Sequence, residues 1–126
     1  MKTKVETKNA PQAPAILSQA IVANGLVFVA GQIHSTPEGQ LIEGSTKEKV
    51  EQIMKNLREI LKAAGTDLDN VVKVVIYLTD MTELKGLNEA YPTYFSEPFP
   101  AREAVCVKEL PLGATIEISV IATKDS

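Results

Sequence analysis

Cysteine and histidine are the scarcest reactive side chains in this sequence. The 126 residues hold one of each, Cys106 and His34. A lone cysteine excludes an intramolecular disulfide and fits a reducing compartment. A zinc site built from several His and Cys ligands is excluded, and a Ser-His-Asp relay would have to pass through His34. No glycine-rich phosphate loop of the P-loop or dinucleotide type is present. Concentrated positive charge is also lacking: 13 basic residues face 16 acidic ones, for a net charge of −3, with no basic run. That gives no electrostatic footprint for nucleic acid. No apolar run approaches the ~20 residues that span a bilayer. The opening Met1-Lys-Thr-Lys-Val-Glu-Thr-Lys8 lacks the apolar core of a signal peptide. No membrane partner is therefore expected, and the expected compartment is the cytoplasm; a mitochondrial form would need a leader. The side chains left for chemistry are Arg and Glu, with backbone groups and water.

Hydrophobic residues at 44% and charged residues at 23% give ordinary globular composition, and the length suits one domain over 1–126. After a polar start, Asn9-Ala-Pro-Gln-Ala-Pro14 predicts extended backbone, with a short edge strand around Val5. Ile16–Val22 and Leu26–Ala30 predict a hairpin around Asn24-Gly25, the pair suited to two residues at positive φ. Gly31 follows directly. A strand-ending glycine is the simpler reading; a bulge or a close backbone approach by a ligand is the other. Residues 34–44 read as a loop punctuated by Pro37, Gly39 and Gly44, with His34 expected as a solvated loop histidine rather than a proton-transfer group.

Ser45-Thr-Lys-Glu48 has capping-box spacing, and Val50, Ile53, Met54, Leu57, Leu61 and Ala64 form an apolar helical stripe that Gly65 is placed to end. Val71–Leu78 is a β-branched run suited to a strand covered on both faces. Asp80-Met-Thr-Glu83 predicts a second capping box, opening a helix through about Phe95 that Gly86 weakens and Pro92 kinks or shortens. Two further strands come next, 99–107 and 114–122, joined by a turn-rich connector. The order β-β-β-α-β-α-β-β predicts an α+β sandwich: a mixed sheet of about six strands with both helices on one face. The other sheet face is apolar and has no third helix to cover it, which predicts self-association.

The last two strands each carry one charge in an apolar setting, Arg102 after a proline and Glu117 between Ile116 and Ile118. A charge so placed needs a partner or a task. From the residues alone two readings are open: a salt bridge at a subunit interface, even between Arg102 and Glu117 themselves, or a site for a small acidic ligand.

At these residues the sequence resembles the RidA/YjgF/YER057c family, also known as endoribonuclease L-PSP or translation inhibitor. The pieces that carry the resemblance are Asn9-Ala-Pro11, Ser18-Gln-Ala20, Gly31-Gln-Ile33, Leu68-Asp-Asn-Val-Val-Lys73, Phe99-Pro-Ala-Arg102, Leu110-Pro111, Ile116-Glu-Ile118 and Val120-Ile-Ala122, together spanning nearly the whole chain. The resemblance implies a chorismate-mutase-like α+β fold and a homotrimer whose sheets line a central barrel, with clefts between subunits. It implies hydrolysis of 2-imino acids and their enamine tautomers to 2-keto acids and ammonia, with no metal and no organic cofactor. In that scheme Arg102 matches the arginine that binds the substrate carboxylate. Glu117 matches the residue that holds or deprotonates water. Backbone groups at Gly31 and Ala104 match positions completing the anion pocket, and Asn88 and Pro111 match positions around the cleft. Two departures stand out: Leu17 occupies a position that is usually tyrosine, and Ala104 one that is often cysteine. His34 replaces a residue that is often proline. Cys106 is not equivalent to the family cysteine and is expected to be a small buried thiol. A non-catalytic binder of small keto or amino acids is the alternative function, since Leu17 removes a hydroxyl.

Overall fold

The computed structural model describes residues 1–125. The strands are β1 (Thr3–Val5), β2 (Ala20–Ala23), β3 (Leu26–Ile33), β4 (Val71–Leu78), β5 (Ala101–Cys106) and β6 (Ile116–Thr123); the helices are α1 (Thr46–Ala64) and α2 (Leu84–Ala90). The expected element order holds. The sheet order is β1-β2-β3-β6-β4-β5, antiparallel throughout except for the β4–β5 pair. β5 and β6 are consecutive in sequence but not neighbours, because β4 lies between them.

Local chemistry accounts for the elements that the sequence announces. Asn24 and Gly25 both take positive φ, 51° and 75°, and close the β2–β3 hairpin. Ser45 Oγ accepts from the Glu48 N–H while Glu48 accepts from the Ser45 N–H, and Gly65 ends α1 at φ 88°. The whole predicted stripe of α1 is buried, joined by Ile60 and by Asn56. Asn56 is fully buried because its amide works: Nδ2 donates to the Ser35 carbonyl at 2.8 Å, and Oδ1 accepts from Gln52 at 3.0 Å.

Several expectations are corrected. Residues 16–19 are not strand; the Ile16 and Leu17 N–H groups donate back to the Ala13 carbonyl in a turn, and β2 begins at Ala20. Asp80 accepts from the Thr82 N–H and hydroxyl, so it caps a 3₁₀ turn rather than a capping box. The Glu83 carboxylate points away to Thr46 and Lys49. The shortening expected from Pro92 is seen: α2 stops at Ala90, and the chain continues as a 3₁₀ turn, Tyr91–Tyr94. Gly86 has a packing reason: a Cβ there would stand 3.0 Å from Thr46 Cβ, so its absence lets α2 lie close on α1.

One sheet face is dry. Val27, Val29, Val74, Ile76, Leu78, Ile116, Ile118, Val120 and Ala122 are buried there in one core with α1 and α2. β4 is therefore not covered on both faces. The register puts Phe28, Val75, Tyr77, Val105, Glu117 and Ile121 on the opposite face, where Phe28 and Val105 remain 43% and 41% exposed.

Removing the Asn56 amide leaves the Ser35 carbonyl buried and unpartnered. Asn56→Ala is expected to lower the unfolding free energy by about 2 kcal/mol. Urea denaturation checks this.

Candidate functional site

Glu117 lies on the face of β6 that the helices do not cover. It stands opposite Tyr77 on β4 and Ile33 on β3. Its carboxylate crosses the backbone of Gly31, so closely that a Cβ at Gly31 would collide with it; the carboxyl carbon would be only 2.8 Å away. Gly31 thus does not end its strand. It sits inside β3 at the irregularity between Val29 and Gln32, where the missing side chain makes room for Glu117. Among the described residues Glu117 makes no ion pair, and burial pushes its carboxyl above the usual glutamate range. A half-buried carboxylate without a counter-ion is poised to take a proton.

Arg102 lies on the other face. It is level with Val74 on β4, and Val74 points into the core under the helices. β5 is the sheet edge, so the guanidinium emerges at the rim. There its guanidinium carbon lies over the ring of Tyr91, 4.9 Å from the centroid, in cation–π range, and it makes no ion pair among the described residues. Arg102 and Glu117 are therefore not paired with each other within the chain. The two residues are two strand spacings apart, ~10 Å, and three residues out of level, another ~10 Å.

The remaining predicted residues fall into separate groups. Ala104 is on β5, level with Ile76 and partly packed on the core. Asn88 is exposed on α2, and Pro111 is exposed at the start of the turn Pro111–Gly113. Leu17 is 47% exposed, near Gln12, Ala13 and Gln19 in a small surface recess. Of the predicted residues, Gly31 and Glu117 lie in direct contact within one chain, and Arg102 and Ala104 share one face of β5.

Two readings of scarce residues are overturned. His34 is 1% exposed, not solvated. Its Nδ1 donates to the Ile42 carbonyl at 2.7 Å, and its Nε2 accepts from the Thr115 N–H at 3.0 Å. Both nitrogens are engaged, so the imidazole is held neutral; burial lowers its pKa, against the Ile42 bond. Cys106 is exposed rather than buried, because it lies on the edge strand with no element over it.

Sequence reasoning assigns no role to Gln19 and places Tyr91 only among core residues. Buried Gln19 accepts from the Thr7 N–H and donates to the carbonyls of Thr7, Ala10 and Pro11, stitching the first segment to the sheet. Tyr91 carries the sole buried side-chain polar atom without a partner among the described residues, its hydroxyl. Nothing local in the sequence signals either.

The family model described as Endoribonuclease L-PSP matches residues 7–124. A Rattus norvegicus protein named 2-iminobutanoate/2-iminopropanoate deaminase is 45% identical over 121 residues, covering 95% of this chain and 88% of the relative. The crystal structure of yeast Mmf1 superposes with a TM-score of 0.96 at 42% identity, covering 99% of this chain and 100% of that one. E. coli TdcF, solved with bound serine, superposes with a TM-score of 0.89 at 26% identity over 98% of this chain and 99% of its own.

Two pH effects are expected, each read as unfolding free energy against pH. Glu117 has a raised folded pKa, so its carboxylate disfavours the fold once ionised. Glu117→Gln is therefore more stable than the parent at pH 7, with the difference shrinking towards pH 4.5. His34 has a lowered folded pKa, so its contribution is complete above about pH 6.5 and is lost as pH falls towards the folded value. A His34→Gln variant lacks that loss.

Proposed function

The chain belongs to the endoribonuclease L-PSP family, and on that footing we propose that it hydrolyses 2-imino acids and their enamine tautomers to 2-keto acids and ammonia. The observation that carries the reading is the pair of charged groups without ion-pair partners among the described residues, Arg102 and Glu117, set on opposite sheet faces. Groups so placed in one chain meet only across two copies. The apolar, uncovered face supports the same reading: three copies pack these faces into a central barrel, and each cleft takes Arg102 from one copy and Gly31 with Glu117 from the next.

The chemistry asks little of such a cleft. Arg102 offers a planar fork that holds the substrate carboxylate by two hydrogen bonds. Backbone groups at Gly31 and Ala104 complete the anion pocket, with Leu17, Asn88 and Pro111 around it. The protonated imine carbon is already electrophilic. Water adds to it as Glu117 takes the proton that water loses; Glu117 returns that proton to the carbinolamine nitrogen, and the C–N bond breaks as the hydroxyl oxygen forms the keto C=O and gives up its proton, releasing ammonia. The raised basicity of Glu117 suits that proton transfer. No step needs a metal or an organic cofactor. RNA cleavage by acid–base pairs fits the molecule less well, since the lone His34 is buried with both ring nitrogens bonded.

A non-catalytic binder of small keto or amino acids is the second reading. It is favoured by Leu17, which brings no hydroxyl, and by the relative solved with bound serine.

The test is loss of 2-iminobutanoate, generated by a threonine dehydratase and trapped with semicarbazide. Faster loss with the parent protein is expected. Arg102→Ala is expected to lower kcat/KM at least about 100-fold, as removal of a charged hydrogen-bonding partner, with its sedimentation as a trimer unchanged. Full activity in Arg102→Ala would overturn the assigned role. No acceleration by a trimer that still binds 2-oxobutanoate would favour the binder.

A further inference from the structure

Arginine side chains that serve as ligand anchors must be held without being used up. A carboxylate partner within the chain would occupy the donors that the substrate needs. Arg102 has no such partner among the described residues; an aromatic face holds it instead. The register explains how. Arg102 is level with Val74, so its side chain leaves β5 towards the helix layer. The turn after α2 places Tyr91 there, 5% exposed, with Phe95 packed 4.8 Å away on a tilted ring. Tyr91 is therefore clamped in the core while its ring presents to the guanidinium.

We propose that Tyr91 is the positioning residue of the site: its ring fixes the Arg102 guanidinium by stacking, leaving the N–H fork free for a planar carboxylate. The inference rests on the carboxylate-binding role of Arg102 proposed above. It assigns the work to the ring and none to the hydroxyl. Among the described residues that hydroxyl is buried and has no hydrogen-bond partner, so no bond from it secures the turn.

The test uses the assembled protein and four chains: the parent, Tyr91→Phe, Tyr91→Leu and Arg102→Ala. The readouts are the Kd for 2-oxobutanoate by calorimetry and KM and kcat for 2-iminobutanoate. Tyr91→Phe keeps the ring and is expected within about twofold of the parent in all three. Tyr91→Leu is expected to raise Kd and KM about tenfold, from the lost cation–π contact, with kcat within about twofold. A general loosening would instead lower kcat or the trimer fraction. Unchanged Kd and KM in Tyr91→Leu, while Arg102→Ala abolishes binding, would overturn the inference and leave the reading of Arg102 intact. Equal binding by the parent and Arg102→Ala would overturn that reading itself, and the inference with it. If Tyr91→Leu does not fold, proton NMR of the parent and Tyr91→Phe decides. Stacking moves the Arg102 δ-methylene protons upfield in both, and ordinary positions in both would overturn the proposal.

Discussion

The sheet depends on one insertion. β6, last in sequence, pairs antiparallel with β3 on one side and β4 on the other. Without it the N-terminal hairpin and the β4–β5 pair would be separate pieces, each too small to hold a core. The insertion is enforced by alternation. Ile116, Ile118, Val120 and Ala122 all face the helices and are buried. A slip of one residue would send that set to the outside. The same alternation obliges residue 117 to face outward, where a glutamate lies over the one position of β3 that has no side chain. Core packing thus sets the position of the Glu117 carboxylate without touching it.

The start of β6 is secured by a polar cluster that also explains the lone histidine. Lys49 of α1 donates to Glu83 and to the Thr115 hydroxyl, at 3.2 and 2.9 Å, and Thr46 donates to Glu83 at 3.0 Å. The Thr115 N–H goes to His34. Buried polar groups persist when each has a partner, and here the partners come from α1, the turn before α2, the loop after β3 and the entry to β6. His34 acts as a clip between two carbonyl- and amide-bearing segments, which removes it from any proton transfer at the molecular surface.

The local elements are readable because their causes are local. A capping box, an apolar stripe at helical spacing and a left-handed glycine define α1 within twenty-one residues, Ser45 to Gly65. An Asn-Gly pair defines the hairpin. The helix after Asp80 ends early, as Pro92 predicts, but whether a proline kinks or stops a helix depends on its tertiary setting. Here a 3₁₀ turn takes over to carry Tyr91 and Phe95 into the core. His34 and Cys106 depart from expectation for a shared reason: burial is a property of neighbours. A histidine in a glycine- and proline-rich loop looks solvated until Thr115, eighty-one residues away, proves to donate to it. A cysteine in an apolar strand looks buried until that strand proves to be the edge.

The sequence by itself determined the α+β class, the order of elements, the family, and Arg102 and Glu117 as the charges in need of an explanation. The family rests on the resemblance of its motifs and the rest on residue type, periodicity and spacing, all of which are written along the chain. Tertiary structure alone decided that β4 separates the two charged strands, that Arg102 and Glu117 face opposite sides, that Gly31 yields its space to Glu117, and that Tyr91 lies under Arg102. Each of these depends on which strands pair and in what register. Register is fixed by burial summed over the whole sheet, and no short stretch of sequence contains that sum.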